Sequence, residues 1–469
     1  MENFKRAREA YDCLADLRQR RRRYKRYTYG DQWSDPADSR RVSSWTEADA
    51  ARAQGQTPHT NNLLRQLVKC VIGNFRNSLL QPQGEDAAPK APDPVADRNL
   101  LTEMDCRMLE EFLISGCAIQ RVVCESRPAG AGVWVDNVSP ENFFVNRFED
   151  PRGHDIQLIG MLHSMSVREV TMRFARNNDR AIMGRISRAY GAIESEFPVP
   201  RAAVGRSAGS SFLHAGGGLC RVIEVWTLRS VAIVKCHDRH EGRLFTTSPS
   251  QLRSISELNL RREAAGLAGI DTRNSISMRW HCTFYTPLGE ILADYDSPYR
   301  HGMHPFVVKF YPMIDGEVHS LVEDLIDQQR CVNSLITLVD QIMRVSAKGV
   351  LLFPIDQKVN EFTWEDIAKL WAKPNAIIPY RAGRTGSSEP HQVVSPADHS
   401  GAYRLLETQL SLFQQISGVS EAMQGRLPQA NTSAALFDSQ LRSSTVALLD
   451  LIDSFNSFRT ARNRIMKSV

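Results

Sequence analysis

The side chains with the clearest potential for chemistry are a dense run of cations near the N-terminus. The run comprises Arg20, Arg21, Arg22, Arg23, Lys25 and Arg26. Cations at this density bind phosphate groups, so the run could contact nucleic acid. A solvated helix face, or a patch that meets acidic side chains of a neighbouring subunit, is the favoured explanation, and the alternatives remain open.

Patterns that would indicate catalysis are absent from the sequence. Residues 383–388 lack the spacing and the lysine of a phosphate-binding loop, and the glycines at 216–218 do not open a helix after a strand. His237 and His240 lie beside acidic residues and could bind a metal, although a polar turn is the favoured explanation. No nucleophile pairs with the other candidate bases, which are His301, His304 and His319. We therefore predict no catalytic residue, no metal site and no cofactor.

The composition indicates a folded chain of several subdomains. The 469 residues are 42% hydrophobic and 24% charged. The net charge of +5 is too small for a generally basic nucleic-acid binder, so any DNA contact must come from local placement. The nine cysteines show no disulfide framework. No apolar run reaches the roughly 18 residues of a spanning helix, so we expect assembly in a cytoplasm and no membrane partner.

A long amphipathic helix is predicted from Ser320 to Lys348. Its apolar face has the helical spacing and comprises Leu321, Leu325, Val332, Leu335, Leu338, Val339, Ile342 and Val345. Ser320 and Glu323 form a capping-box pattern at the start, and Gly349 ends the helix. At about 1.5 Å per residue such a helix is roughly 40 Å long, which is enough to line a passage.

Further elements are predicted on both sides of this helix. After it come a strand at 350–354, a short helix at 364–371, a strand at 376–380, a second helix at 402–417, a loop at 419–431 and a third helix from Thr432 onward. Before it, the first section is helical, with a helix at 98–115. Strands then follow at 118–124, 132–137, 143–145, 276–285 and 306–311, helices at 166–177 and 251–265, and a strand pair at 222–228 and 232–237 separated by Arg229 and Ser230.

This order of elements, together with a set of short motifs, resembles the portal (head-to-tail connector) proteins of tailed bacteriophages. The motifs are Tyr29-Gly30-Asp31-Gln32-Trp33, Asn61-Asn62-Leu63-Leu64-Arg65-Gln66-Leu67-Val68, Asp150-Pro151-Arg152-Gly153-His154-Asp155, His304-Pro305-Phe306, and Ile416-Ser417-Gly418-Val419 leading to Met423-Gln424-Gly425. Each motif is weak alone, and their joint order makes the match specific. The resemblance covers residues 3–458.

The resemblance implies an α+β, portal-like fold. The implied parts are an α/β wing at 1–319 (helical to 117, α+β from 118), stem helices at 320–348 and 401–417, a small mixed clip at 349–400, a channel loop at 418–431, and a long C-terminal helix at 432–469. Family members usually continue into a helical crown, which is either missing or not included here.

The function implied by the resemblance is structural. It is a homo-oligomeric ring of about twelve subunits at one capsid vertex of the virion, with a channel for double-stranded DNA during packaging and ejection. Implied partners are the terminase large subunit, major capsid and scaffold proteins, and tail adaptor proteins. Two alternatives are a DNA-processing enzyme that grips duplex with the basic helix, and a different ring-forming head-tail adaptor.

The resemblance also implies site residues. In the channel loop, Gln424, Arg426 and Gln429 would meet the DNA backbone without reading its sequence. In the clip, the residues expected to dock terminase and adaptors are Trp371, Lys373, Arg381 and Arg384.

Overall fold

The computed structural model describes residues 1–37, 45–80, 94–175, 179–191, 211–346, 350–355, 358–359, 361–372, 378, 380–381, 390–393, 400–419 and 446–469. The chain forms two compact units. Unit 1 comprises Met1–Lys25, Leu67–Glu323 and Glu421–Val469, and unit 2 comprises Arg26–Gln66 and Asp324–Ser420. Residues 26–66, within the range predicted as wing, therefore group with 324–420.

Helices and strands both contribute substantially, which confirms the α+β class. The described helices are α1 Glu2–Cys13, α2 Ala15–Thr28, α3 Glu47–Ala53, α4 Leu63–Leu80, α5 Pro94–Arg98, α6 Leu101–Ser115, α7 Val167–Phe174, α8 Arg180–Tyr190, α9 Leu252–Ala264, α10 Leu321–Ser346, α11 Trp364–Ala372, α12 Ser400–Ser417 and α13 Leu449–Met466. None of these helices combines the length and the apolar character needed to cross a membrane.

The described strands form four sheets. They are β1 Cys117–Arg127, β2 Gly130–Asn137, β3 Phe143–Val145, β4 Leu158–Met165, β5 Cys220–Asp238, β6 Arg243–Thr247, β7 Ile270–Tyr285, β8 Ile291–Asp296, β9 Phe306–Phe310, β10 Pro312–Ile314, β11 Glu317–Val318, β12 Val350–Leu352 and β13 His391–Val393. The largest sheet has the order β3-β4-β5-β7-β8, with β6 also paired to β5. The others are β2-β1-β9, β10-β11 and β12-β13.

The core of unit 1 lies on both faces of the largest sheet. Alternate residues of a strand point to opposite faces, so Ile223 and Val225 of β5 share one face and Val222 and Trp226 the other. Helix α1 covers the first face. Helices α7 and α8 cover the second, where Trp226 is 1% exposed. The sheet is therefore buried on both sides at its centre.

Strand β5 corrects one prediction. The paired strands expected at 222–228 and 232–237 are a single strand, because Arg229 and Ser230 do not turn the chain but lie opposite Arg279 and Met278 of β7. Two exposed polar residues resembled a turn, although neither is a glycine, asparagine or proline. The helix expected at 166–177 is α7, which starts after its N-cap residue Ser166 and ends at Phe174, and the helix α8 that follows was not predicted.

The long helix predicted from the apolar spacing is present, and its residues from Asp324 onward belong to unit 2. Helix α10 has 26 residues, and the capping box at its start is present: Ser320 Oγ accepts from the Glu323 N–H at 3.1 Å, and Glu323 Oε2 accepts from the Ser320 N–H at 3.3 Å. Helix α11 agrees with the prediction at 364–371. Strand β12 pairs with β13, and the strand predicted at 376–380 lies largely outside the described residues.

Candidate functional site

The long helix of unit 2 is held by a cluster of buried amide side chains. Gln329 and Asn333 lie one turn apart on α10, outside its predicted apolar face, and are 0% and 2% exposed. Gln329 Nε2 donates to Asn333 Oδ1 at 3.0 Å and to the Asn61 carbonyl oxygen at 2.7 Å. The two side chains therefore act as one polar unit inside a packed region.

Gln329 also caps helix α4. Its Oε1 accepts from the backbone N–H of Leu63 at 2.9 Å and of Leu64 at 3.3 Å. The first N–H groups of a helix have no partner within the helix, and a buried helix start needs acceptors from elsewhere. Asn62 supplies another, because its Oδ1 accepts from the Arg65 N–H at 3.0 Å. The start of α4 is thus fixed to α10 by side chains.

Asn333 connects the cluster to the N-terminal motif. Its Nδ2 donates to Gln32 Oε1 at 2.6 Å, and its Oδ1 accepts from the Asn61 N–H at 3.0 Å. Gln32 Nε2 in turn donates to the Tyr27 carbonyl oxygen at 2.8 Å and to Asn62 Oδ1 at 3.2 Å. The two N-terminal motifs therefore meet α10 through hydrogen bonds, which explains why amide residues occupy these positions.

The N-terminal arginines make ion pairs within their own chain. In unit 1, Arg21 Nε lies 2.5 Å from Glu111 Oε1, and Arg22 Nη2 lies 2.6 Å from Glu141 Oε2. Arg21 is 6% exposed, and Glu111 and Glu141 raise its pKa against the opposing effect of burial.

Two further pairs of the run fall in different units. In unit 1, Arg20 Nε lies 3.0 Å from Asp16 Oδ2. In unit 2, Arg26 Nη2 lies 2.8 Å from Asp35 Oδ1. These acidic neighbours belong to the same chain. That the run contacts a neighbouring subunit or DNA stays a prediction. Such a contact would use the exposed parts of side chains such as Arg22.

The C-terminal helix of unit 1 is anchored by a buried ion pair. Asp105 of α6 is 1% exposed and bonds to the guanidinium of Arg462, which is equally buried. Arg459 Nε donates to the second oxygen of Asp105 at 2.8 Å. Phe455 packs one turn away, with ring centroids 5.5 Å from Phe75 and 5.7 Å from Phe112. Helix α13 is therefore held by both charge and aromatic packing.

A second buried charge cluster lies in the largest sheet. Glu224 is fully buried, with Oε2 3.2 Å from Arg121 Nη2 and 2.6 Å from His163 Nε2. Trp226 Nε1 donates to its other oxygen at 2.7 Å. Burial alone would raise the pKa of Glu224, but Arg121, His163 and Trp226 outweigh it and hold the pKa well below its ordinary value. No pattern in the sequence indicated this cluster.

The His304-Pro305-Phe306 motif has a structural explanation. His304 is 7% exposed, its Nδ1 accepts from the Phe306 N–H at 3.2 Å, and its ring meets Trp280 edge-on with centroids 4.6 Å apart. Burial lowers the pKa of His304 to about 3. The histidine is therefore a neutral acceptor that positions the start of β9.

This burial predicts an acid sensitivity of unit 1. The unfolded chain protonates His304 near pH 6.5, whereas the folded chain does so only near pH 3. The contribution of neutral His304 to the free energy of unfolding is therefore complete above the unfolded pKa. It decreases as the pH falls, by about 1.4 kcal/mol per pH unit. The variant His304→Asn keeps an acceptor for the Phe306 N–H but cannot titrate. We expect its free energy of unfolding to fall less steeply than that of the wild type between about pH 6 and pH 5. The two slopes should differ by the equivalent of one bound proton.

The control for this experiment is His240→Asn, at an exposed position. The slope to be compared is the change in the free energy of unfolding with pH. It is measured by urea unfolding at each pH, monitored by the hydrogen exchange of peptides from β9. Equal slopes for the wild type and His304→Asn would contradict the assignment.

The candidate metal ligands form a turn. Asp238 Oδ1 accepts from the backbone N–H groups of His240 at 3.0 Å and Glu241 at 3.1 Å, and it lies 2.7 Å from Arg262 Nη1. The carboxylate is thus occupied by donors, as the polar-turn explanation expects. Across the residues that the structure describes, no group of three or more histidine, cysteine or acidic side chains could hold a metal ion.

The residues predicted for the clip and channel are only partly described. Trp371 is half-buried near the end of α11, and Arg381 is exposed. Lys373, Arg384, Gln424, Arg426 and Gln429 lie outside the described residues, as does the glycine-containing segment at 383–388. The structure therefore neither brings these residues together nor separates them.

The order of elements can be compared with known proteins. The model of the family described as phage P22-like portal protein matches residues 107–468, which is well over half of the chain. That range contains the largest sheet, the helices α10, α11 and α12, and α13. A search among curated proteins finds no match. The chain therefore belongs to the phage P22-like portal protein family.

Proposed function

We propose that the chain forms a ring at one vertex of the capsid, with an axial channel for double-stranded DNA. DNA would enter through it during packaging and leave through it during ejection. The observation that carries this proposal is the family match over residues 107–468. The family is one of structural proteins, so the DNA-processing enzyme is not proposed further.

In this proposal the stem helices are 320–348 and 401–417, and the clip lies between them. Helix α10, at about 1.5 Å per residue for 26 residues, is long enough to line a channel wall. The amide cluster supports this role, because it fixes the polar side of the helix to a folded segment rather than leaving it to solvent. A rigid wall helix keeps a constant channel width while DNA moves.

The clip is the proposed docking platform. Strands β12 and β13 and helix α11 lie between the two stem helices, which supports a small mixed subdomain. The terminase large subunit docks there during packaging and tail adaptor proteins afterwards, with Trp371, Lys373, Arg381 and Arg384 as contact residues. Major capsid and scaffold proteins are further proposed partners, and α13 lies in the C-terminal segment 432–469 that the resemblance assigns to a long helix.

The channel loop at 418–431 is the proposed DNA contact. Gln424, Arg426 and Gln429 can donate to phosphate oxygens without reading bases, as a sliding genome requires. One arginine per subunit contributes little alone. Repeated around a ring of about twelve chains, it forms a belt of charge that holds DNA without stopping it.

The variant Arg426→Glu tests this contact. We expect ring assembly to be unchanged and DNA packaging or retention to fall by about tenfold or more, because the belt then repels phosphate. Arg426→Lys is the matched control, which keeps the charge and should package normally. Packaging is measured as nuclease-protected DNA per particle. Normal packaging by the Arg426→Glu ring would remove Arg426 from the mechanism.

A further inference from the structure

Strands β5 and β7 extend well beyond the rest of their sheet. Strand β4 pairs with β5 only as far as Thr227, and β8 pairs with β7 only from His281 onward. Residues 228–238 and 270–280 therefore project as a two-stranded ribbon, which we call the arm. Strand β6 adds a third strand only at the far end, opposite Val234 to Asp238.

One face of the arm carries cations directly opposite one another. Arg229 pairs in register with Arg279, and Lys235 with Arg273. All four side chains are exposed, and none makes an ion pair with the residues that the structure describes. Like charges at opposite positions of neighbouring strands destabilise a sheet. This arrangement is therefore costly in the isolated chain. Asp294 offsets part of the charge of Arg229, and anions from outside the chain would lower the remaining cost.

The outer edge of β7 along the arm has free backbone groups. The Trp280 carbonyl oxygen accepts from the Ser297 N–H at 2.9 Å, on the side away from β5. At the other end, Asn259 of α9 bonds both the N–H and the carbonyl of Ile270, at 2.7 and 2.8 Å. Alternate residues of a strand direct their backbone groups to the same side, so those of 272, 274, 276 and 278 also face outward. No described group bonds to them there.

Along this edge, the face of the arm opposite the cations carries exposed apolar side chains. Ile276 and Met278 are 73% and 56% exposed, in a strand whose other large apolar residues, such as Trp280 and Phe284, are buried. Their side chains point to the face away from Arg273 and Arg279, because side-chain direction alternates along a strand. The edge thus offers hydrogen bonds in its plane, positive charge on one face and apolar surface on the other.

We propose that the outer edge of β7, from Asp271 to Arg279, binds an extended segment of a partner protein as an added strand. The partner segment alternates acidic and apolar side chains, with its carboxylates on Arg273 and Arg279 and its apolar groups on Ile276 and Met278. An unprotected edge is a template for pairing, and added strands gain affinity from the main chain and specificity from alternate side chains. This inference does not depend on the DNA channel.

Duplex DNA fits the same surface less well. Phosphates would satisfy the four cations, but a DNA backbone presents neither the donors and acceptors of a strand nor apolar groups for Ile276 and Met278. Asp271, on the cationic face, is held 2.5 Å from Arg239 and so does not neutralise the arm. The combination of all three features favours a polypeptide.

The test measures binding of a labelled peptide, acetyl-Glu-Val-Glu-Val-Glu-Val-Glu-amide, to the full chain by fluorescence anisotropy. A second peptide has the same side chains but methyl groups on alternate backbone nitrogens, which blocks one hydrogen-bonding edge. The variants are Asn274→Pro, which removes an outward N–H that β5 does not use, and Arg273→Glu with Arg279→Glu. Asn274→Ala is the matched control, since it loses the same side chain but keeps the outward N–H.

We expect the unmodified peptide to bind, and expect N-methylation, Asn274→Pro and the charge reversal each to weaken binding by about tenfold or more. Asn274→Ala should bind as the wild type does. Equal binding of the methylated and unmodified peptides, or undiminished binding by Asn274→Pro, would overturn strand addition. So would the absence of peptide binding up to about 1 mM, or a preference for a short DNA duplex that the charge reversal abolishes. Binding by a second copy of the chain at this edge, detected as an Asn274-dependent dimer, would likewise replace the proposed partner.

Discussion

Replacing Asp105 with alanine should lower the opening free energy of α13 by about 3–5 kcal/mol. The reason is that Arg462 would remain as a buried charge without its partner, which is among the most costly single changes in a folded protein. Asp105 and Arg462 are both almost fully buried, so water does not replace the lost carboxylate. Hydrogen exchange of peptides from α6 and α13 measures the change.

Glu103→Ala is the matched control for Asp105. Glu103 lies on the same helix and pairs with Arg107 at 2.8 Å, but its side chain is 44% exposed. An exposed pair contributes little to stability, so this variant should open much as the wild type does. The double change Asp105→Leu with Arg462→Met should regain most of the loss, because apolar residues often replace a buried pair without cost. Equal protection in Asp105→Ala and Glu103→Ala would show that the ion pair does not anchor α13.

The second large effect is expected for Gln329→Leu. Leucine fills the space but leaves the buried Leu64 N–H without its acceptor, and it removes the bonds of Gln329 to the Leu63 N–H, the Asn61 carbonyl and Asn333 Oδ1. Each such loss costs about 1–3 kcal/mol, so we expect a total of about 3–5 kcal/mol. The result should be faster hydrogen exchange at the start of α4 and along the middle of α10.

Asp327→Ala provides the comparison within the same helix. Its side chain is 91% exposed and reaches Arg330 only at 3.9 Å, so the change should be within about 0.5 kcal/mol. If Gln329→Leu exchanges no faster than Asp327→Ala, the amide cluster is not what holds the helix.

Local patterns predicted much of the fold. The apolar spacing and the Ser320–Glu323 pattern located α10 to within two residues at each end, and the strand at 143–145 agrees with β3. These elements depend on neighbours close in sequence. The arm was not predicted, because Arg229 and Ser230 remain extended only through their pairing with Arg279 and Met278, about fifty residues later.

The candidate site was predicted less completely, and the reason is again distance along the chain. Gln32, Asn61 and Asn62 were recognised as parts of motifs. Their place in one hydrogen-bonded cluster with Gln329 and Asn333 was not predicted. A helix position such as Gln329 is polar in sequence and buried in the fold, so spacing alone assigns it to solvent. Likewise, the arginine run was recognised as a charge cluster, while its partners Glu111 and Glu141 lie far along the chain.

The measurement that most directly tests the central claim is the mass of the native, purified assembly, combined with low-resolution electron-microscope images. A ring of about twelve chains with a central hole wide enough for a DNA duplex is the expected result. A stable monomer or dimer at every salt concentration would contradict a portal ring.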